Sequence, residues 1–188
     1  MNGKIPTREE ALELLLRYNQ SESLIKHAKA VEGVMRYIAR KLGEDEELWG
    51  IVGLVHDLDY EKYPEIHCQI TKQILEAEGW DPMLIRAILS HAWGTCNDVE
   101  PQSLMEKYLY AIDELTGLIT AVALVRPSKS IAEVEVKSVK KKWKEKSFAA
   151  GANREIIQKG AEMLGISLDE LIQLTIDGMK EVAKEIGL

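Results

Sequence analysis

Four histidines, His27, His56, His67 and His91, are all that the chain contains, and they fall in its first half. Each sits on, or at the end of, one of four successive helical patterns. Two aspartates belong with them. Asp57 directly follows His56 at the end of the apolar run Val52-Gly53-Leu54-Val55, and Asp113 stands inside Leu109-Tyr110-Ala111-Ile112-Asp113-Glu114-Leu115. Taken singly, each has a plain reading. A helix histidine is usually a surface or hydrogen-bonded core residue, a His-Asp pair arises by chance, and a helix aspartate usually faces water. Together they say more. Burying an ionised carboxylate without a partner is very costly, and no lysine or arginine lies within these apolar stretches to answer Asp57 or Asp113. A divalent cation would answer both. Neutral imidazole with carboxylate is the donor set of borderline first-row ions, and facing helices of a bundle bring such donors together.

The elements that must position these groups are helical. Thr7-Arg8-Glu9-Glu10 is a capping box that opens a helix over about 8–18. Ser21 or Ser23 starts a second helix, with apolar residues at a period near 3.6 from Leu24 to Leu42 and Gly43 as its stop. The stretch 44–57 is apolar on nearly all sides and reads as the buried central helix. Residues 59–65 form a loop broken by Pro64. Helices follow over 67–78 and, behind Asp81-Pro82, to about His91. A loop at 94–101 leads to a long apolar helix over about 103–125, ending before Pro127. Shorter helices fill 131–146 and 149–164, and Ser167-Leu168-Asp169-Glu170 opens a last one to about Ile186. Val134-Glu135-Val136 alternates but is too short for a strand. The fold class is all-α, a single helical bundle.

Composition narrows the function. The 188 residues are 46% apolar and 29% charged, an ordinary globular balance, with no long uncharged apolar run that would span a membrane. The start, Met1-Asn2-Gly3-Lys4-Ile5-Pro6, leads straight into a charged helical stretch and does not read as a secretory signal. Cys68 and Cys96 are too few for a disulfide framework, so reduced thiols and a cytoplasmic location are expected. The net charge of −7 argues against a nucleic-acid polymer as partner. The charge is uneven: residues 126–159 hold ten cations and four acids, which leaves −13 on the rest. A basic island on an acidic chain suits a small anion. A homo-oligomer is compatible with the composition.

The order of these residues resembles the HD superfamily of metal-dependent phosphohydrolases. Its pattern is a histidine, a His-Asp pair and a later aspartate on helices of an all-α domain, matched here by His27, His56-Asp57 and Asp113 over roughly 21–124. The resemblance implies one HD-like domain over 1–188, with the metal-site core at about 21–124 and a basic helical C-terminal extension at about 126–188. Members with two metals use two more histidines between the pair and the last aspartate, where His67 and His91 stand. One ion would then take His27, His56, Asp57 and Asp113. A second would take His67 and His91, with Asp57 bridging. The ion would be Mn, Fe, Co, Ni or Zn. The chain departs from the family in two places. His-Asp is often continued by an aliphatic residue, Gly and Lys, but here by Leu58-Asp59-Tyr60. A histidine often found beside the one at His91 is replaced by Ala92.

The resemblance implies hydrolysis of a small phosphorylated metabolite or nucleotide by metal-activated water. Asp57, Asp59 and Glu61 are the candidate catalytic acids, with Glu65 a further proton carrier. Asp59 can instead be a helix-ending cap. With the loop lysine missing, Arg126, Lys129, Lys137, Lys141 and Arg154 are candidates to clamp a phosphate, against the plainer reading of Lys140 to Lys146 as a solvated helix face. Trp93 is noted for its place two residues after His91. Three other readings stand beside hydrolysis: a metal-dependent ligand-binding or regulatory module without turnover, a di-iron oxygenase of the same superfamily, and a helical interaction protein with unrelated histidines.

Overall fold

The computed structural model describes residues 3–188; Met1 and Asn2, the first residues of the stretch read for a secretory signal, lie outside the described residues. Among the described residues there are ten α-helices and no strand, so the all-α class holds. No described helix is long and apolar enough to cross a membrane.

Local chemistry sets most of the boundaries. Helix α1 (Arg8–Tyr18) starts at the expected capping box, in which Thr7 and Glu10 each accept from the other's backbone N–H. Helix α2 (Glu22–Leu42) is capped by Ser21 and stops at Gly43, whose φ of 72° is the left-handed conformation that glycine adopts at no steric cost. Helix α3 (Glu46–Val55) is capped by Asp45 and buries every residue from Trp49 to Val55. Helices α4 (Gln69–Ala77), α5 (Pro82–Ser90) and α6 (Leu104–Leu124) complete the part that carries the histidines and aspartates. Helix α6 opens on a capping box, Ser103 with Glu106, that the sequence reading does not single out.

Two close helix contacts hold the site in register. A Cβ on Gly53 of α3 would stand 3.0 Å from the Val31 carbonyl oxygen of α2, so the two backbones nearly touch, and this brings the end of α3 beside the start of α2. The later helices are α7 (Val136–Trp143), α8 (Arg154–Leu164), α9 (Leu168–Glu181) and α10 (Ala183–Ile186). A Cβ on Gly160 of α8 would fall 2.5 Å from the Ala111 Cα of α6, which docks α8 beside the turn that carries Asp113.

The structure departs from the sequence reading where several short elements replace one. The stretch 131–146 divides into a 3-10 turn, Ile131–Glu133, and α7, because Val134 and Glu135 are extended and Glu135 exchanges hydrogen bonds with Ser138 to cap α7. Helix α8 starts at Arg154 and not near residue 149, since Asn153 caps it and 144–152 is mostly a run of turns. The last helix breaks at Val182 before α10. Helix α4 starts at Gln69, because Cys68 takes a φ of 73° that no helix interior allows.

Candidate metal centre

The six side chains singled out by type and order meet at one place. His27 comes from the first turns of α2, His56 and Asp57 from the turn that ends α3, His67 from the loop before α4, His91 from the end of α5 and Asp113 from the middle of α6. Ligand atoms of His27, His56, Asp57 and Asp113 all lie within 4.8 Å of one another, and so do those of His67, Cys68 and His91.

Asp57 stands between the two groups. Its Oδ2 lies 3.2 Å from His56 Nε2 and 3.6 Å from His27 Nε2. Its Oδ1 lies 3.2 Å from the Nε2 atoms of both His67 and His91. Asp113 Oδ1 closes the first group, 2.9 Å from His27 Nε2 and 3.1 Å from His56 Nε2.

The other ring nitrogens fix what these Nε2 atoms can be. His56 Nδ1 is 2.7 Å from the Gly53 carbonyl oxygen, and His91 Nδ1 is 2.5 Å from that of Ile88. A carbonyl oxygen only accepts, so each Nδ1 carries a proton and donates it. His67 Nδ1 donates to Asp59 Oδ1 at 2.6 Å. In the neutral rings the three Nε2 atoms are therefore bare lone pairs. They are aimed at carboxylate oxygens and at one another, as His67 Nε2 and His91 Nε2 are at 3.1 Å. Acceptors facing acceptors at this range need a cation or extra protons between them. The donor set, imidazole nitrogen with carboxylate oxygen, fits a first-row divalent ion, and the bonds to Nδ1 are the outer contacts that orient metal-binding histidines.

The electrostatics describe the same need. Burial opposes charge on His56, but Asp57 and Asp113 outweigh it and hold its pKa well above the ordinary value. Burial likewise opposes the charge on Asp57, yet His56, His67 and His91 keep its carboxyl well below the usual range. Asp113 is lowered in the same way, chiefly by His56 and then His27. A cluster so short of positive charge that it raises its own imidazoles is one in which a divalent ion could replace protons.

The centre opens into a cavity of about 560 Å³ lined by five of these side chains together with Tyr60, Thr95, Cys96, Glu114 and a wall of Ala149, Gly151 and Ala152. No lysine or arginine lines it among the described residues. Among the described residues Glu114 is its only acid outside the cluster, with a carboxyl pushed up to about 7 by burial and by the charge of Asp113.

Several expected roles fall elsewhere. Asp59 is fully buried and bonded to His67 and to the Thr71 backbone N–H at 2.8 Å, so it aims a histidine and does not reach the cavity. Glu61 accepts from the backbone N–H groups of Gln20 and Ser21 at 2.8 and 3.0 Å, which makes it a brace for the start of α2. Neither Asp59, Glu61 nor Glu65 lines the cavity. Arg126, Lys137 and Lys141 gather with Lys142 around a different cavity that contains none of the six side chains, and Lys129 lines neither. Arg154 donates to the carbonyl oxygens of Lys142, Glu145, Phe148, Ala149 and Ala152, so its guanidinium is committed to the backbone at the end of α7 and in the turns that follow it. Trp93 also stands outside the cavity, with the Lys159 ammonium 4.0 Å from its ring centre.

Two residues near the centre escape the sequence reading. Cys68 reads there only as a reduced thiol, although its place beside His67 is a signal; its positive φ turns the chain so that its thiol joins His67 and His91. Glu114 is visible only as the neighbour of Asp113, and the packing of α8 against α6 is what encloses it.

The family model described as HD domain matches residues 24–118. The chain belongs to the HD-domain family. Among curated proteins it is similar to Ribonuclease Y of Sulfurovum sp. (strain NBC37-1), at 27% identity over 98% of this chain and 36% of that protein. Ribonuclease Y of Bacillus thuringiensis (strain Al Hakam) and of Bacillus subtilis (strain 168) are each 28% identical over 76% of this chain and 28% of their own length. The chain thus spans about a third of the length of these relatives. No solved structure gives a significant match. These relatives overturn the exclusion of nucleic-acid polymers drawn from the net charge. Net charge is the wrong test, because a polymer meets one face of a protein, and here cations are concentrated in 126–159 while acids dominate elsewhere.

Proposed function

We propose that this chain is a metal-dependent phosphohydrolase whose centre holds two divalent ions, one on His27, His56, Asp57 and Asp113 and one on His67 and His91, with Asp57 shared. The observation that carries the reading is Asp57, whose two oxygens face two separate groups of imidazole nitrogens. Divalent ions bound there would supply Lewis acidity and a hydroxide nucleophile near neutral pH. Hydrolysis forms one phosphorus–oxygen bond from water and breaks the ester bond, and the leaving oxygen takes a proton.

The chain's own residues have defined parts in this. Asp59 holds His67 in one tautomer, and the Gly53 and Ile88 carbonyls do the same for His56 and His91. Glu114, the one acid among the described residues on the cavity wall outside the cluster, would exchange a proton with the substrate. Among the described residues the cavity has no lysine or arginine, so an anionic phosphate there depends on the metal centre for its countercharge. The phosphate ester acted on is that of a nucleotide or of RNA; the ribonucleases among the relatives favour the second.

The test is hydrolysis of bis(p-nitrophenyl) phosphate, a 5′-mononucleotide and a short RNA by manganese-loaded protein, beside Asp57→Ala. Release of product that disappears in the variant supports the reading. A protein that binds metal but cleaves none of these substrates is a binding module, and the hydrolase reading then fails.

A further inference from the structure

A second cavity adjoins the first. It has a volume of about 510 Å³ and shares His27 and Gly117 with the cavity of the metal centre. The two are joined along one track between α2 and α6. Asp113, Gly117, Thr120 and Leu124 follow one another at spacings of four, three and four residues, which puts them on a single face of α6. Ser23, Lys26, His27 and Ala30 form the matching face of α2 in the same way. At the junction Gly117 has no side chain, and a Cβ built there would meet nothing within 4 Å, so the passage is open. From Asp113 to Leu124 the helix advances about 16 Å. A track of that length continues past the metal centre and leaves room for a further unit beyond the group held there.

Its lining differs from that of the metal cavity. Ala30, Leu124 and Ile186 give it apolar walls, Ser23 and Thr120 bring hydroxyls, Lys26 brings a positive charge, and Glu22 stands at its edge with a negative one. Among the described residues Lys26 pairs only with Glu22, at 2.9 Å in an exposed pair, and such pairs contribute little. Its ammonium can therefore turn to another anion. Apolar walls with a few polar groups suit the flat face of a base and the hydroxyls of a sugar, and the ammonium suits a phosphate.

We infer that this groove is a subsite for a second nucleotide unit, joined by a phosphodiester to the group held at the metal centre. The inference rests on the phosphohydrolase reading for the placement of the first phosphate, and its test reads binding, not turnover. The probes are a phosphorothioate-linked uridine dinucleotide and uridine 5′-monophosphate, titrated into manganese-loaded wild type, Thr120→Trp and Lys26→Ala. The wild type is expected to prefer the dinucleotide by about tenfold or more, Thr120→Trp to lose that preference by filling the groove, and Lys26→Ala to reduce it about threefold. Lys26 is on the surface, so its variant decides the matter if the tryptophan variant does not fold. No preference in the wild type, or a preference that survives in the folded variants, overturns the inference. Preference without hydrolysis leaves the groove standing and removes the hydrolase reading.

Discussion

The two ionic regions of this protein are opposites. The histidines and aspartates are scattered over residues 27 to 113, yet their ligand atoms converge to within hydrogen-bonding distance. The cations of 126–159 are neighbours in sequence, yet they do not converge on one point: Arg126, Lys137, Lys141 and Lys142 stand around a cavity of their own, and the rest turn elsewhere. Lys137 is 84% exposed beside Glu135, Lys140 turns to Asp169, and Arg154 turns inward to five carbonyl oxygens. Water accounts for the difference. A charge that can stay hydrated has no reason to gather with others, whereas a polar group on the buried side of a helix must find a partner, and the partner must come from another helix. Ionisable residues in apolar helices are for that reason a better guide to a site than a run of charges.

The comparison breaks first at Asp57. Asp57→Ala removes the group shared by both halves of the centre, and the expected result is loss of nearly all bound metal, read by elemental mass spectrometry, with hydrolysis down by on the order of 10³-fold. Asp59→Ala should reach the metal centre through His67. Removing such an orienting partner weakens metal binding by about 10- to 100-fold, and metal titration should show one ion weakened with the other retained. Two affinities falling together would deny the division into two groups.

On the basic side the sharpest contrast is between Arg154 and Lys141. Arg154→Ala leaves several carbonyl groups without a donor and is expected to cost about 3 kcal/mol, near 10 °C in thermal midpoint for a chain of this size. Lys141→Ala should change stability by less than about 0.5 kcal/mol and leave the metal content unchanged. A contrast of another kind, in pH dependence, belongs to Glu106. Burial opposes its charge, but the backbone N–H groups of Ser103 and Gln102 and the Arg86 guanidinium hold its pKa below the ordinary carboxylate value. Its stabilisation is therefore complete above the unfolded pKa and is lost as the pH falls through the lower, folded one. Denaturant midpoints measured from pH 7 to pH 3 should fall less steeply in Glu106→Gln than in the wild type.

Much of this is legible in the sequence. The capping residues Thr7, Ser21, Asp81 and Ser167 mark helix starts that the structure keeps, because a cap is a local interaction between a side chain and the backbone two or three residues on. His56, Asp57 and Asp113 are legible because their polarity conflicts with the apolar helices around them, and His27, His67 and His91 through the order of residues that resembles the HD superfamily. What sequence cannot supply is direction. Asp59 reads as a catalytic acid or a cap, and only the aim of His67 Nδ1 shows it to be an orienting group. Glu61 and Arg154 have the composition of functional residues but spend their charge on backbone groups far along the chain or in a turn. The groove along α6 depends on Gly117 and on the spacing of α2 from α6, neither of which a motif records.

Anomalous scattering from crystals grown with manganese tests the central claim most directly. Two peaks are predicted, one among His27 Nε2, His56 Nε2 and Asp113 and the other between His67 and His91, each touching a different oxygen of Asp57. A single peak that leaves His67 and His91 unbound would contradict the shared carboxylate, and no peak at these residues would contradict the metal centre altogether.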